Sequence, residues 1–109
     1  MAMRLPYTVS TATGEQISFD FPLHAQTQSA MRVEQLLGAV LATLDRELRI
    51  LGTTANGDVL QAMTMALAVR TAMLHADYDT SRKLSAQLTD TALDAAEECI
   101  RNPGMVGNA

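Results

Sequence analysis

Residues 59–74, VLQAMTMALAVRTAML, are apolar around most of a helix, and this stretch restricts the fold more than any other. Stepping about 100° per residue, Gln61, Thr64, Thr71 and His75 make a polar stripe about 80° wide, while Val, Leu, Met and Ala fill roughly 240°. Arg70 falls inside the apolar arc, between Val59, Met63, Ala66 and Met73. Such a helix must be covered by its own domain, by lipid or by another protein. Lipid is not expected, because the stretch is shorter than the ~20 residues a bilayer requires and contains Gln61, Thr64, Arg70 and Thr71.

The flanking segments promise only partial cover. Val33, Leu37, Val40, Leu41, Leu44, Leu48 and Leu51 recur at spacings of one to four on an arc of about 140°. Arg32, Gln35, Arg46 and Arg49 lie opposite, so an amphipathic helix is expected from about Thr27, stopped at Gly52. Glu47 projects onto the edge of its apolar arc. After a polar connector, Asn56 or Asp58 is the expected N-cap of the second helix, which runs to about residue 76. Asp77-Tyr-Asp-Thr80 reads as a turn with its own capping residues. A third helix is expected from about Thr80 to Arg101, with Leu84, Leu88, Ala92, Ala95 and Cys99 inward and Lys83, Asp90, Asp94, Glu97 and Glu98 outward.

Ahead of the helices the period is two. Tyr7 and Val9, then Ile17, Phe19 and Phe21, flank Thr11-Ala-Thr-Gly14, where Gly14 is free to take positive φ. A hairpin fits this pattern, and so does an arm that orders only on contact, because a lone hairpin is marginal in water. The expected fold is mainly α. A short N-terminal β-hairpin or extended arm (1–26) precedes a three-helix antiparallel bundle or hairpin (27–102), and a loose tail (103–109) follows.

Composition narrows the class of function. With 109 residues the chain is one domain, and net charge −4 argues against nucleic acid or an anionic membrane surface as partner. A single cysteine, Cys99, excludes an internal disulfide and fits a reducing cytoplasm. The first residues lack the apolar run of a secretory signal.

The candidate chemistry is thin. His75, Asp77 and Asp79 have alternate spacing, but they sit at a helix end where Asp serves as a cap, so no metal is expected. Cys99 with His24 or His75 would make a nucleophile and base, yet Cys99 falls on an apolar helix face that gives a thiol no activation. Glu97 and Glu98 read as a solvated face. The glycines from Gly52 to Gly57 lack the Gly-Lys-Ser/Thr of a phosphate loop, and a helix-turn-helix would present an acidic recognition helix. The expectation is a protein that is not an enzyme and uses no cofactor.

What remains is surface. The middle helix of three touches two neighbours, and 240° of apolar arc exceeds what two neighbours cover. Met63, Met65 and Met73 are by default core filler, and where left exposed they form an adaptable recognition surface. The candidate interface is Val59, Met63, Met65, Ala66, Leu67, Val69, Arg70 and Met73, with Phe19 and Phe21 from the N-terminal segment. Arg70 must snorkel, pair within the chain or meet an acidic residue of another; Glu47 is the preferred intrachain mate. Two-fold dimers are the commonest assembly, so a homodimer is expected. In size, acidity and the stretch VLQAMTMALAVRTAML, the chain resembles small acidic helical anti-activators of LuxR-type quorum-sensing regulators. That resemblance implies a stoichiometric inhibitor whose surface around Met63, Leu67 and Met73 masks an apolar face of a transcription regulator. The alternative class is a structural accessory protein, similar to helical dimers of the cell-division machinery that carry an N-terminal β segment.

Overall fold

A computed structural model describes residues 3–103. The order of elements is β1 (Arg4–Ser10), β2 (Gln16–Pro22), α1 (Ala30–Leu51), α2 (Asn56–Ala72), α3 (Tyr78–Glu97) and β3 (Ile100–Asn102). The expected tail lies, from residue 104 onward, outside the described residues. The protein is mainly helical, with a three-stranded antiparallel sheet in the order β1-β2-β3.

Chain contacts divide these elements between two compact units, so that α1 and α3 each contribute to both. Unit one runs to Glu34 and resumes at Leu88; unit two is Gln35–Gln87.

In unit one the alternating segment folds as a hairpin rather than an arm. Gly14 takes φ +86°, its N–H donates to the Thr11 carbonyl (3.0 Å), and the Thr11 N–H donates to the Glu15 carbonyl (2.8 Å). This is a three-residue loop that ends in a left-handed glycine. Register sets Leu5, Tyr7 and Val9 opposite Phe21, Phe19 and Ile17, so one face of the hairpin is wholly apolar. Leu5 and Ile17 are the only buried hydrophobic residues among those described, and the Phe19 and Phe21 rings stack 5.3 Å apart. The other face is polar: Thr8 and Ser18 share a hydroxyl hydrogen bond (3.1 Å), and Arg4 Nε donates to Asp20 Oδ2 (2.6 Å).

Pro6 fits this register for a specific reason. The Leu23 N–H donates to the Met3 carbonyl (2.8 Å) at one end of the hairpin, and Thr11 pairs with Glu15 at the other. Odd-numbered residues of β1 therefore turn their backbone groups toward β2, and even-numbered ones toward the open edge. Pro6 sits at an outward position, where its missing N–H breaks no ladder bond and blunts the edge.

The expected third helix overran its end. It stops at Glu97, and Ile100–Asn102 pairs instead with Gln16–Ser18 of β2. The free edge of β2 offers backbone partners, and Arg101 Nη1 reaches Glu15 Oε1 (2.8 Å), so tertiary pairing overrides helical periodicity. Cys99 consequently lies between α3 and β3, half-buried, and not on an apolar helix face.

The helix ends in unit two follow local chemistry. Gly52 ends α1 at φ +84°, its N–H bonded to the Leu48 carbonyl (3.1 Å). Asp77 Oδ2 accepts hydrogen bonds from the Thr80 N–H (3.2 Å) and hydroxyl (3.3 Å), capping α3. The expected cap of α2 is not formed. The helix already includes Asn56 and Asp58, and the N-cap is Ala55, which has no side-chain oxygen to offer. Asp58 instead contributes a negative charge to the first turn.

Candidate interaction surface

The apolar arcs of α1 and α2 are far less covered than a self-contained bundle would leave them. No residue of α1 is buried, and the only buried residue of α2 is Thr71. On α1, Leu37, Leu41, Leu44 and Leu48 are half-buried, whereas Val33, Val40 and Leu51 of the same expected arc are exposed. One member of the polar stripe departs from its expected role: Thr71 faces inward, while Gln61, Thr64 and His75 are exposed. The Thr71 hydroxyl is bonded to the Leu67 carbonyl (2.8 Å) and to Ser85 Oγ of α3 (2.7 Å). Because both bonds are made within the chain, the hydroxyl can leave water at little cost, and the apolar side of α2 is left outside.

Residues of α1 and α2 flank a groove of about 440 Å³, lined by Leu36, Val40, Thr43 and Glu47 on one side and Ala62, Met63 and Ala66 on the other. Two matching stripes run along it. On α1, Leu36, Val40, Thr43, Glu47 and Ile50 recur at spacings of four and three; on α2, Val59, Met63, Ala66, Arg70 and Met73 do the same. This is the spacing of a heptad seam, with one charge in the fourth place of each stripe. Leu36 is 59 % exposed, Val40 54 % and Met73 57 %.

The expected interface residues thus sort into groups. Met63 and Ala66 line the groove, Val59, Arg70 and Met73 continue the same stripe by helical spacing, and Leu67 lies on the flank toward Thr71. Met65 and Val69, 56 % and 58 % exposed, occupy the next side of α2. Phe19 and Phe21 belong to unit one, half-buried on the apolar face of the hairpin. The α1 stripe was missed in sequence, although its spacing matches that of α2; Leu36 and Ile50 fall outside the arc that Leu37, Leu41 and Leu48 define.

The two charges are unpaired with each other. Among the described residues no ion pair joins Glu47 to Arg70, and Arg70 Nη1 instead points to Met73 Sδ at 3.8 Å. The intrachain pairing is not made, and the guanidinium is left exposed over its own apolar stripe.

A second depression, in unit one, is polar. It measures about 490 Å³ and is lined by Arg4, Asp20, Pro22, Thr91, Asp94 and Glu98. Among the described residues no three His, Cys, Asp or Glu side chains gather as metal ligands, and no helix is long and apolar enough to cross a membrane. The chain matches no protein-family model, no curated protein and no solved structure.

Proposed function

We propose that the chain is a non-enzymatic interaction module of the cytoplasm. It inhibits a transcription regulator by occupying one of the regulator's apolar interfaces. The observation that carries this reading is the exposure of the apolar circumference of α2, from Leu60 through Met65 and Val69 to Met73. Contiguous apolar surface on a folded helix marks a protein interface, and methionine suits one that must adapt to its target. A photo-crosslinking residue in place of Met65 tests it in cells. Recovery of a DNA-binding regulator at that position, and not from Lys83 on the polar side of α3, is the expected result. Crosslinks to no protein but the chain itself would refute inhibition of a regulator.

A second reading, assembly accessory of the cell-division type, draws on the formed hairpin ahead of the 22-residue α1. It predicts that the same crosslinker captures a filament or septum component instead.

A further inference from the structure

The groove between α1 and α2 is too exposed to be an internal seam, and its features point to a specific occupant. Its walls belong to two stripes at heptad spacing, and each stripe carries one charge of opposite sign: Glu47, which lines the groove on α1, and Arg70, one turn beyond the groove-lining Ala66 on α2. The groove brings residues 36–47 of α1 beside residues 62–66 of α2 across a four-residue connector, an arrangement that fits α2 running back along α1 with the stripes in opposite directions. Glu47 lies near the connector, roughly level with Val59. Arg70 is eleven residues beyond Val59, about 16 Å along the axis at 1.5 Å per residue. The two charges therefore lie at opposite ends of the seam, which explains why no pair forms within one chain.

A two-fold rotation removes that separation. An axis perpendicular to the helices, crossing the seam midway between Glu47 and Arg70, exchanges its two ends. We propose that the occupant of the groove is a second copy of the chain, related by this axis, with Arg70 of each copy beside Glu47 of the other. Both charges then find partners, twice per dimer, and Val40 of one copy comes level with Met63 of the other. Ala62 and Ala66 stand near the axis, where small side chains let two α2 helices approach closely. A surface that complements itself in this way is what a two-fold interface requires.

A charged residue at an otherwise apolar heptad position serves to fix register, and two such residues of opposite sign fix the antiparallel arrangement. The inference rests on reading α2 as an interaction helix and divides its circumference. The Val59–Met63–Ala66–Arg70–Met73 side meets the second copy, and the Met65–Val69 side is left for the regulator.

Mixing two charge-reversal variants tests the arrangement. Glu47→Arg alone sets two arginines together at both ends of the dimer, and Arg70→Glu alone sets two glutamates together. Each weakens self-association at least about a hundredfold relative to the wild type, read by analytical ultracentrifugation. When the two variants are unfolded together and refolded as an equimolar mixture, both contacts become Arg–Glu. A heterodimer forms with affinity within about tenfold of the wild type, and helicity returns if either variant alone had lost it. A wild-type monomer at micromolar concentration overturns the proposal, as does a single reversal that dimerises normally or a mixture that stays dissociated. Pairing within one chain predicts no recovery on mixing. A normal dimer whose Met65 crosslinks to no regulator removes the inhibitory function and keeps the dimer; a monomer that captures a regulator does the reverse.

Discussion

Val40→Ala separates contacts made inside the chain from contacts made across the dimer. Val40 is the second of the five residues in the α1 stripe and is 54 % exposed, so just under half of its surface is covered by its own chain. Removing the equivalent of two methylenes costs about 1.6 kcal/mol at full burial, so the contribution within one chain is about 0.7 kcal/mol. Alanine is the better helix former by about 0.5 kcal/mol, which cancels most of that loss. An isolated chain would hardly register the change. In the dimer the remaining half of the side chain is buried against Met63 of the other copy, and symmetry counts the loss twice. That amounts to about 1.7 kcal/mol, or roughly fifteenfold in Kd, before any cavity left at the seam adds to it. The assay is sedimentation equilibrium over a concentration series, with urea unfolding followed by circular dichroism at several protein concentrations. The expected outcome is a Kd raised about ten- to fiftyfold, with the unfolding midpoint falling most at low concentration. A Kd within twofold of the wild type would refute the reasoning, because Val40 would then face no partner.

Three local predictions follow from the backbone. Gly52→Ala forces a Cβ into the left-handed region at φ +84°; nothing lies within 4 Å of that atom, so the cost is conformational, about 1 kcal/mol, measurable by urea denaturation. Ala55→Asp supplies the side-chain cap that α2 lacks and should stabilise the protein by about 1 kcal/mol in the same assay, with no change in Kd. Pro6→Thr restores an outward N–H to the edge of β1; folding stability should hold, while light scattering at high concentration should show faster aggregation than the wild type.

The parts of the fold legible in sequence are those set by neighbours along the chain. Period two at Ile17, Phe19 and Phe21, the turn glycine Gly14, the stop at Gly52 and the cap at Asp77 all follow from local geometry, and all are formed. The strand Ile100–Asn102 was not legible, because it exists only where a distant edge offers it partners. Thr71 misled for a related reason. A threonine on a helix wheel reads as wet, but its hydroxyl is satisfied by Leu67 and Ser85 and can turn inward. For the candidate surface, the excess of apolar arc on α2 was legible. The matching stripe on α1 was hidden by a stronger leucine pattern one step away. Whether Arg70 reaches Glu47 depends on how α2 runs relative to α1, which a helix wheel does not carry.

The third strand has a consequence for the order in which the chain folds. Strands β1 and β2 are separated by one tight turn and can pair as soon as both exist. The Arg101–Glu15 contact that closes β3 onto them spans 86 residues, so it must wait for the helices between to form. During synthesis the β2 edge is therefore a bare template until residues 100–102 have left the ribosome. The hairpin begins the fold, and β3 returns to seal it.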